Sequence, residues 1–193
     1  MNNDSGVIER SLRDPAAFGE LFHRYAASLH RYVARRAGES LADDVTSETF
    51  LIAFERRTAF DLGRQDARPW LFGIATNLIH RHRIAEARTL KSLERAAAEP
   101  EYDNSPSVDE FVDAQREVKK MARRLRRMSS ADRDCLLLFA WGDFTYKQIA
   151  QSLDIPIGTV RSRMNRARRI LRTEPLSEEV HHGQTHFASD SAQ

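Results

Sequence analysis

The arginine-rich stretch from Thr159 to Arg172 holds the side chains of this chain best suited to contacting nucleic acid. It contains six arginines and no acidic residue. At about 100° per residue, Val160, Met164, Ala167 and Leu171 share one narrow stripe, which predicts a helix with one face in a core. The opposite side carries Ser162, Asn165, Arg166 and Arg169. Arginine pairs with guanine and asparagine with adenine, and both hold phosphates, although for an isolated helix a solvated arginine face is the favoured alternative.

The residues before this stretch favour DNA binding over that alternative. Thr145-Tyr-Lys-Gln148 is a capping box that predicts a short helix over 146–153. A tight turn over 154–158 leads into the arginine-rich helix, so the unit is a predicted helix-turn-helix. We expect the second helix to start at Thr159, where its first amides would face a phosphate. Residues 116–172 carry 15 basic and 5 acidic side chains, a balance of +10 that a structural hairpin does not require.

The net charge of the whole chain, +2, hides this basic segment because acidic stretches flank it. Residues 91–115 balance at −5 and residues 173–193 at −4. The single cysteine, Cys135, lies in an apolar run and is predicted to be a small buried side chain. The N-terminus resembles no signal peptide, and no apolar run has the length of a membrane span. These features predict a soluble cytoplasmic protein without membrane insertion.

Three further helices are predicted nearer the N-terminus. The first begins at Asp14-Pro15 and ends at Gly38, and the second runs from after Ser40 to about Arg57. After a loop over 58–68, Pro69 opens a third helix that extends to about Arg88. We expect the third helix to pack through Trp70, Ile74, Leu78 and Ala85.

No segment alternates as a strand does, so the predicted fold is all-α, with two small helical domains joined by a flexible linker. An N-terminal domain over 1–90 precedes an acidic linker over 91–110, which is rich in proline and serine. The helix-turn-helix domain covers 111–173, its first helix packing through Phe111, Val118, Met121 and Leu125. A disordered acidic tail is predicted over 174–193. The three histidines of that tail lack a supporting core, so no metal site is predicted.

Four runs in this order resemble the bacterial RNA polymerase sigma factors of the extracytoplasmic-function type. They are Ala42-Asp-Asp-Val-Thr-Ser-Glu-Thr-Phe50, Arg68-Pro-Trp-Leu-Phe-Gly-Ile-Ala-Thr-Asn77, Thr145-Tyr-Lys-Gln-Ile-Ala150 and Ile157-Gly-Thr-Val-Arg-Ser-Arg-Met-Asn-Arg-Ala-Arg168. The resemblance implies a subunit that binds core RNA polymerase, recognises the minus-10 and minus-35 promoter elements and helps to melt the DNA. It also implies an anti-sigma partner that clamps the two domains together.

The resemblance assigns a role to three sets of residues. The polymerase-binding set, with its carboxylates as ion-pair partners and Phe50 as an apolar anchor, is Asp43, Asp44, Glu48, Thr49 and Phe50. The minus-10 set, led by Asn77 for a base and Arg81 for phosphate, is Phe60, Arg64, Arg68, Asn77, His80, Arg81 and Arg83. The base-reading minus-35 set is Arg161, Ser162, Asn165 and Arg166, and its phosphate-binding companions are Lys147, Arg163, Arg168 and Arg169.

Two other classes of protein compete with this interpretation. A stand-alone helix-turn-helix regulator would bind an operator without polymerase. A nucleic-acid-processing enzyme would need metal ligands or a nucleophile with its base, and no such motif, catalytic residue or cofactor site is evident. We therefore predict a DNA-binding specificity subunit that is not an enzyme.

Overall fold

The computed structural model of the protein describes residues 3–96 and 121–172, and over 89–96 it describes the backbone alone. The α-helices are α1 (Asp4–Ser11), α2 (Gly19–Ala37), α3 (Ala42–Glu55), α4 (Arg68–Ala96), α5 (Ser130–Gly142), α6 (Tyr146–Leu153) and α7 (Ile157–Arg172). Residues 121–127 are also helical. These ranges contain no strand, so the predicted all-α class is confirmed. The predicted positions of Phe111 and Val118, and the tail over 174–193, lie outside the described residues.

Local signals set the two ends of α2 as predicted. The Asp14 side chain accepts a hydrogen bond from the Ala16 amide at 3.1 Å, and a 3-10 turn from Pro15 leads into α2. Gly38 ends α2 at φ +95°, where any residue with a Cβ would be strained. On α3, Val45 and Ala53 are fully buried and form part of its packing face.

The packing face of α4 differs from the predicted one. Of the predicted stripe, Leu78 is buried, Trp70 and Ile74 are only partly buried, and Ala85 is exposed. The buried side chains are instead Leu71, Phe72, Ala75, Leu78 and Ile79. The reason is that α4 packs against α2 and α3 on one side and against α6 on another, so two faces are covered. The helix also continues to Ala96, beyond the predicted end near Arg88.

An N-terminal helix that the sequence pattern did not predict completes this domain. Asn3 caps α1 by accepting a hydrogen bond from the Gly6 amide at 3.0 Å. Val7 and Ile8 are buried in the same core as α2. A helix of two turns contains too few apolar residues to show a helical period in the sequence, and its stability comes from tertiary packing.

The C-terminal domain agrees closely with the predicted helix-turn-helix. Thr145 and Gln148 form both bonds of the capping box that starts α6. Asp154 lies in the left-handed region at φ +50° and turns the chain toward α7. The helix α7 begins at Ile157 rather than Thr159, so its predicted start is wrong by two residues, and the Thr159 amide donates to the Pro156 carbonyl at 2.9 Å.

The core of the C-terminal domain contains the predicted stripe of α7 and the single cysteine. Val160, Met164 and Ala167 are buried and Leu171 is only partly buried, and the three buried side chains fix the rotation of the helix about its axis. Cys135 is fully buried, as predicted, and burial raises the pKa of its thiol. At the start of the domain, Met121 is exposed and Leu125 only partly buried, so their predicted stripe is largely uncovered.

The two domains pack directly against each other. The helix α4 contacts α6, and α2 contacts α5. At this interface Phe72 meets Phe144 edge to face, with ring centroids 5.0 Å apart. Both domains therefore contribute to one continuous apolar core, a contact that no local pattern in the sequence predicts.

Candidate nucleic-acid interface

The exposed face of α7 carries most of the residues predicted to contact the minus-35 element. Its rotation is fixed by the buried stripe, which leaves the opposite side to solvent. The exposed members of the set are Arg161, Ser162, Asn165, Arg166, Arg168 and Arg169. Lys147 is exposed on the neighbouring α6, whereas Arg163 is partly buried beside Cys135. Asn165, Arg168, Arg169 and Arg172 line one open groove.

Arg166 is held in place by a carboxylate from another helix. Its Nη2 and Nε atoms donate to the two oxygens of Asp132 on α5, at 2.8 and 3.2 Å. Burial alone would raise the pKa of the Asp132 carboxyl, but hydrogen bonds from Arg166 and Ser129 and the charges of Arg166 and Arg163 outweigh it and lower that pKa. The hydrogen bonds and charge of Asp132 in turn raise the pKa of Arg166. A bidentate contact from Arg166 to guanine must therefore use its Nη1–Nη2 edge.

The loop before α4 presents fewer side chains than its sequence suggests. Phe60, predicted to face DNA, is 8% exposed and packs on Trp70 with ring centroids 5.0 Å apart. Arg64 is exposed and lies 3.2 Å from its neighbour Asp61. In this conformation Phe60 supports the loop from beneath, and Arg64 is the arginine that the loop presents to solvent.

A buried carboxylate from α1 fastens this loop to the rest of the domain. The Asp4 side chain is fully buried and accepts hydrogen bonds from Arg24, from the Tyr25 hydroxyl at 2.6 Å and from the Ala67 amide at 2.8 Å. The Asp4 amide also donates to the Gln65 carbonyl at 3.0 Å. Sequence reasoning missed this group, because no local signal links residue 4 to residues 65 and 67.

Of the remaining minus-10 residues on α4, some have side chains exposed to solvent and others have side chains bound to groups of the protein itself. Asn77 and Arg81 are exposed, and Arg81 lies 3.9 Å from Glu48 of α3. Arg83 donates to the backbone carbonyl of Arg36 at 2.6 Å. Burial, followed by the nearby positive charge of Arg36, lowers the pKa of Arg83. Arg68 and His80 both contact the C-terminal domain.

The acidic helix α3 exposes only part of the predicted polymerase-binding set. Asp43 and Asp44 are exposed and Glu48 is partly so. Thr49 is fully buried and its hydroxyl donates to the Val45 carbonyl at 2.6 Å. Phe50 is 6% exposed and packs against Phe22, so neither side chain is presented to a partner in this conformation.

Leu51 is the apolar side chain that α3 does present. It is 58% exposed and lies seven residues after Asp44, two helical turns along the same face. Sequence reasoning missed it, although the spacing of three and four from Asp44 through Ser47 to Leu51 would have indicated a shared exposed stripe. The surface of α3 is therefore a leucine set among carboxylates.

The described part of the chain contains neither a metal-binding cluster nor a membrane-spanning helix. No group of three or more histidine, cysteine, aspartate or glutamate side chains is placed to hold a metal ion there. No helix within the same residues is long and apolar enough to cross a membrane.

Two family models match this chain, and together they cover both domains. The model described as Sigma-70 region 2 matches residues 21–89, and the model described as Sigma-70, region 4 matches residues 119–171. The first includes α3 and most of α4, and the second includes the helix-turn-helix.

Curated relatives align along most of their length. The ECF RNA polymerase sigma factor SigL of Mycobacterium tuberculosis is 31% identical over 161 residues, covering 82% of this chain and 89% of SigL. The ECF RNA polymerase sigma factor RpoE of Cereibacter sphaeroides is 27% identical over 159 residues, covering 82% of this chain and 86% of that protein.

Solved structures share the fold at lower identity. CnrH in complex with the cytosolic domain of CnrY gives a TM-score of 0.61 at 24% identity, covering 88% of this chain and 94% of CnrH. The sigma factor RpoE in complex with the anti-sigma factor NepR from Bartonella quintana gives 0.57 at 21% identity, covering 80% and 93%.

Proposed function

The chain belongs to the extracytoplasmic-function (ECF) family of RNA polymerase sigma factors, and we propose that it is a transcription initiation subunit with three separate contact surfaces. It directs core RNA polymerase to promoters that carry its minus-35 and minus-10 elements, and it promotes melting of the DNA. The observation that carries this proposal is the presence, on one chain, of an exposed acidic face on α3 and an exposed arginine and asparagine face on α7.

The acidic face of α3 is the proposed docking surface for the polymerase. Asp43, Asp44 and Glu48 supply negative charge that steers a basic partner surface, and Leu51 supplies the apolar contact that docking would bury. Thr49 and Phe50 support this surface from within, because both are packed beneath it.

The exposed face of α7 is the proposed reader of the minus-35 element. Arg161, Ser162 and Asn165 project to solvent and carry the donors and acceptors that base edges require. Arg166 joins them through the guanidinium edge that Asp132 leaves available. The phosphate-binding companions are Lys147, Arg163, Arg168 and Arg169, which add affinity without base preference.

The exposed side of α4 is the proposed contact for the melted minus-10 strand. The exposed Asn77 would hydrogen-bond an unstacked base, and the exposed Arg81 and Arg64 would hold phosphates. Arg68 and Arg83 would add positive charge here, and His80 a ring nitrogen for hydrogen bonding, once their present partners release them. Phe60 would keep the loop in shape by its packing on Trp70.

This proposal assigns the protein binding rather than catalysis. It needs no cofactor, and it places the protein in the cytoplasm, where the polymerase and the promoter DNA are found. The ECF family consists of transcription initiation factors, and the surfaces described above account for that role by contact alone.

Run-off transcription with purified core RNA polymerase on fragmented genomic DNA tests the proposal. We expect discrete transcripts that require this chain, and little binding of the free chain to the same promoters. A stand-alone regulator would instead bind an operator tightly without polymerase and would produce no polymerase-dependent start sites. That outcome would replace the proposed function with its alternative.

An anti-sigma factor is a further proposed partner. The RpoE structure that shares this fold was solved with the anti-sigma factor NepR, and we propose a protein of the same class for this chain. Affinity purification of the tagged chain from cells of its own organism should recover such a protein together with core polymerase. Recovery of the polymerase alone would contradict this partner.

A further inference from the structure

A carboxylate of the C-terminal domain is inserted between two basic groups of the N-terminal domain. Asp134 on α5 accepts a hydrogen bond from Arg36 on α2, and its other oxygen lies 2.7 Å from His80 Nε2 on α4. The Arg36 side chain is 1% exposed and also donates to the Tyr32 hydroxyl at 2.6 Å. A buried guanidinium requires a compensating anion, and the anion here comes from the other domain.

A second group of interdomain contacts occupies the start of α4. Arg68 donates to the Gly142 carbonyl at the end of α5, and its guanidinium lies 4.6 Å from the centre of the Phe144 ring. Gln148 of α6 donates to Asp66 in the loop at 3.0 Å. The C-terminal domain therefore covers part of the surface assigned to the minus-10 strand and uses two of its basic groups, Arg68 and His80.

The backbones of the two domains also approach each other closely at one point. A Cβ built on Gly73 of α4 would lie 2.3 Å from the backbone oxygen of Ser152 on α6. The nearest atoms around that position all belong to Ser152, so the N-terminal domain itself has room for a methyl group. The absence of a side chain at Gly73 is thus required by the contact between the domains and by nothing inside its own domain.

We propose that this arrangement is a closed, self-inhibited state in which the chain's own C-terminal domain occupies part of the minus-10 surface. The inference rests on the proposed function. The closed chain is too compact to reach both elements, whose centres are about 25 base pairs, or ~85 Å, apart on straight DNA. A compact chain of this length has a radius of gyration of about 16 Å. Residues 97–120 connect the domains and would reach ~80 Å if fully extended.

Separation of the two domains changes the surroundings of three basic side chains at their interface. Separation exposes Arg68 and His80 for the DNA strand and leaves Arg36 to water instead of Asp134. Promoter DNA therefore competes with the interdomain contact, and it stabilises the open state because it binds that state more tightly. The free energy of the interdomain contact opposes formation of the promoter complex.

Gly73→Ala tests this inference with a minimal change. The full chain would carry donor and acceptor dyes on Ala27→Cys and Ala140→Cys, which are exposed positions in different domains. The buried Cys135 stays unlabelled. We expect high energy transfer in the free chain and on the order of tenfold less closed population in Gly73→Ala. Gly19→Ala, with nothing within 4 Å of its added Cβ, should leave the transfer unchanged.

Asp134→Asn provides an independent perturbation of the same interface. It leaves Arg36 without its anion in the closed state, so the closed-to-open ratio should fall on the order of a hundredfold. Asp132→Asn is the matched control, because Asp132 lies on the same helix but binds Arg166 within its own domain. Circular dichroism melts would confirm that each labelled variant is folded. For Gly73→Ala we expect no loss of helix, since alanine favours a helix interior.

Activity then separates an inhibitory contact from a merely structural one. At limiting concentrations of the chain, Gly73→Ala should give several times more run-off transcript than wild type, and wild type should lose energy transfer on forming the promoter complex. Unchanged transfer in Gly73→Ala, or an open variant without a gain in transcript, overturns the inference. Absence of transcript with wild type contradicts the proposed function instead, and the energy-transfer comparison still decides whether the closed state exists.

Discussion

Truncation of Leu51 to alanine should weaken binding to core RNA polymerase while leaving the protein as stable as before. Leu51 is 58% exposed, so docking would cover somewhat more than half of its surface. Burying a whole leucine side chain contributes about 1.5–3 kcal/mol. The part left to be buried therefore corresponds to about 1–1.5 kcal/mol, or a five- to tenfold weaker Kd.

The comparison variant is Phe50→Ala, one residue earlier on the same helix. Phe50 is 6% exposed, with its ring 4.9 Å from that of Phe22, so truncation leaves a cavity in the domain. We expect a loss of about 3–5 kcal/mol in the free energy of unfolding. Any effect of this variant on polymerase binding should follow from lost folding and disappear under conditions where the variant is fully folded.

The assay is a titration of the fluorescently labelled chain with core polymerase, paired with urea unfolding of the same variants. Leu12→Ala is the control, since Leu12 is also exposed but lies on a different element, beyond the end of α1. An unchanged Kd for Leu51→Ala, together with a large loss of affinity for a stable Phe50→Ala, would show that Phe50 rather than Leu51 contacts the polymerase.

Three other predictions concern buried and exposed polar groups. Asp4→Ala removes the carboxylate that accepts hydrogen bonds from two α2 side chains and from the loop before α4. The free energy of unfolding, measured with urea, should therefore fall by about 3 kcal/mol. Open-complex formation, followed by stopped-flow promoter melting, should slow. Arg166→Ala should reduce transcription with strong dependence on the minus-35 sequence, whereas Lys147→Ala should weaken all promoters alike; equal loss across minus-35 variants for Arg166→Ala would contradict base readout. The pKa of Asp132 is lowered in the folded state, so the stability it contributes is present above its ordinary value of 3.8 and is lost as pH falls through the lower folded pKa. The difference in unfolding free energy between wild type and Asp132→Asn should accordingly stay constant from about pH 8 to 5, and a difference that shrinks across that range would contradict the assignment.

Local physics made several elements of this protein predictable from sequence. The capping box of Thr145 and Gln148, the glycine at position 38 and the apolar stripe of α7 each depend on residues within a few turns of one another. Spacing alone therefore determines where these helices begin and end and which face is buried. The arginine and asparagine side chains on the exposed face of α7 follow directly from that rotation.

Burial on α3 and α4 could not be decided in the same way. A helix with one covered face shows apolar residues at spacings of three and four. The helix α4 is covered by α2 and α3 on one side and by α6 on another, so its apolar residues do not follow a single such stripe. On α3, Phe50 and Leu51 are both apolar, yet Phe50 lies inside the domain and Leu51 lies outside. Which of two adjacent apolar residues faces a partner depends on where Phe22 of α2 packs.

The helical class, the helix-turn-helix and the charge of its faces can be predicted from the sequence, because they follow from contacts between near neighbours in the chain. Which of the charged side chains are available for binding depends on contacts between residues far apart in the chain. Arg166 meets Asp132 across 34 positions, and Arg36 meets Asp134 across 98. The energy of such pairs depends on burial and on distances of a few ångströms, and neither quantity is encoded in local spacing.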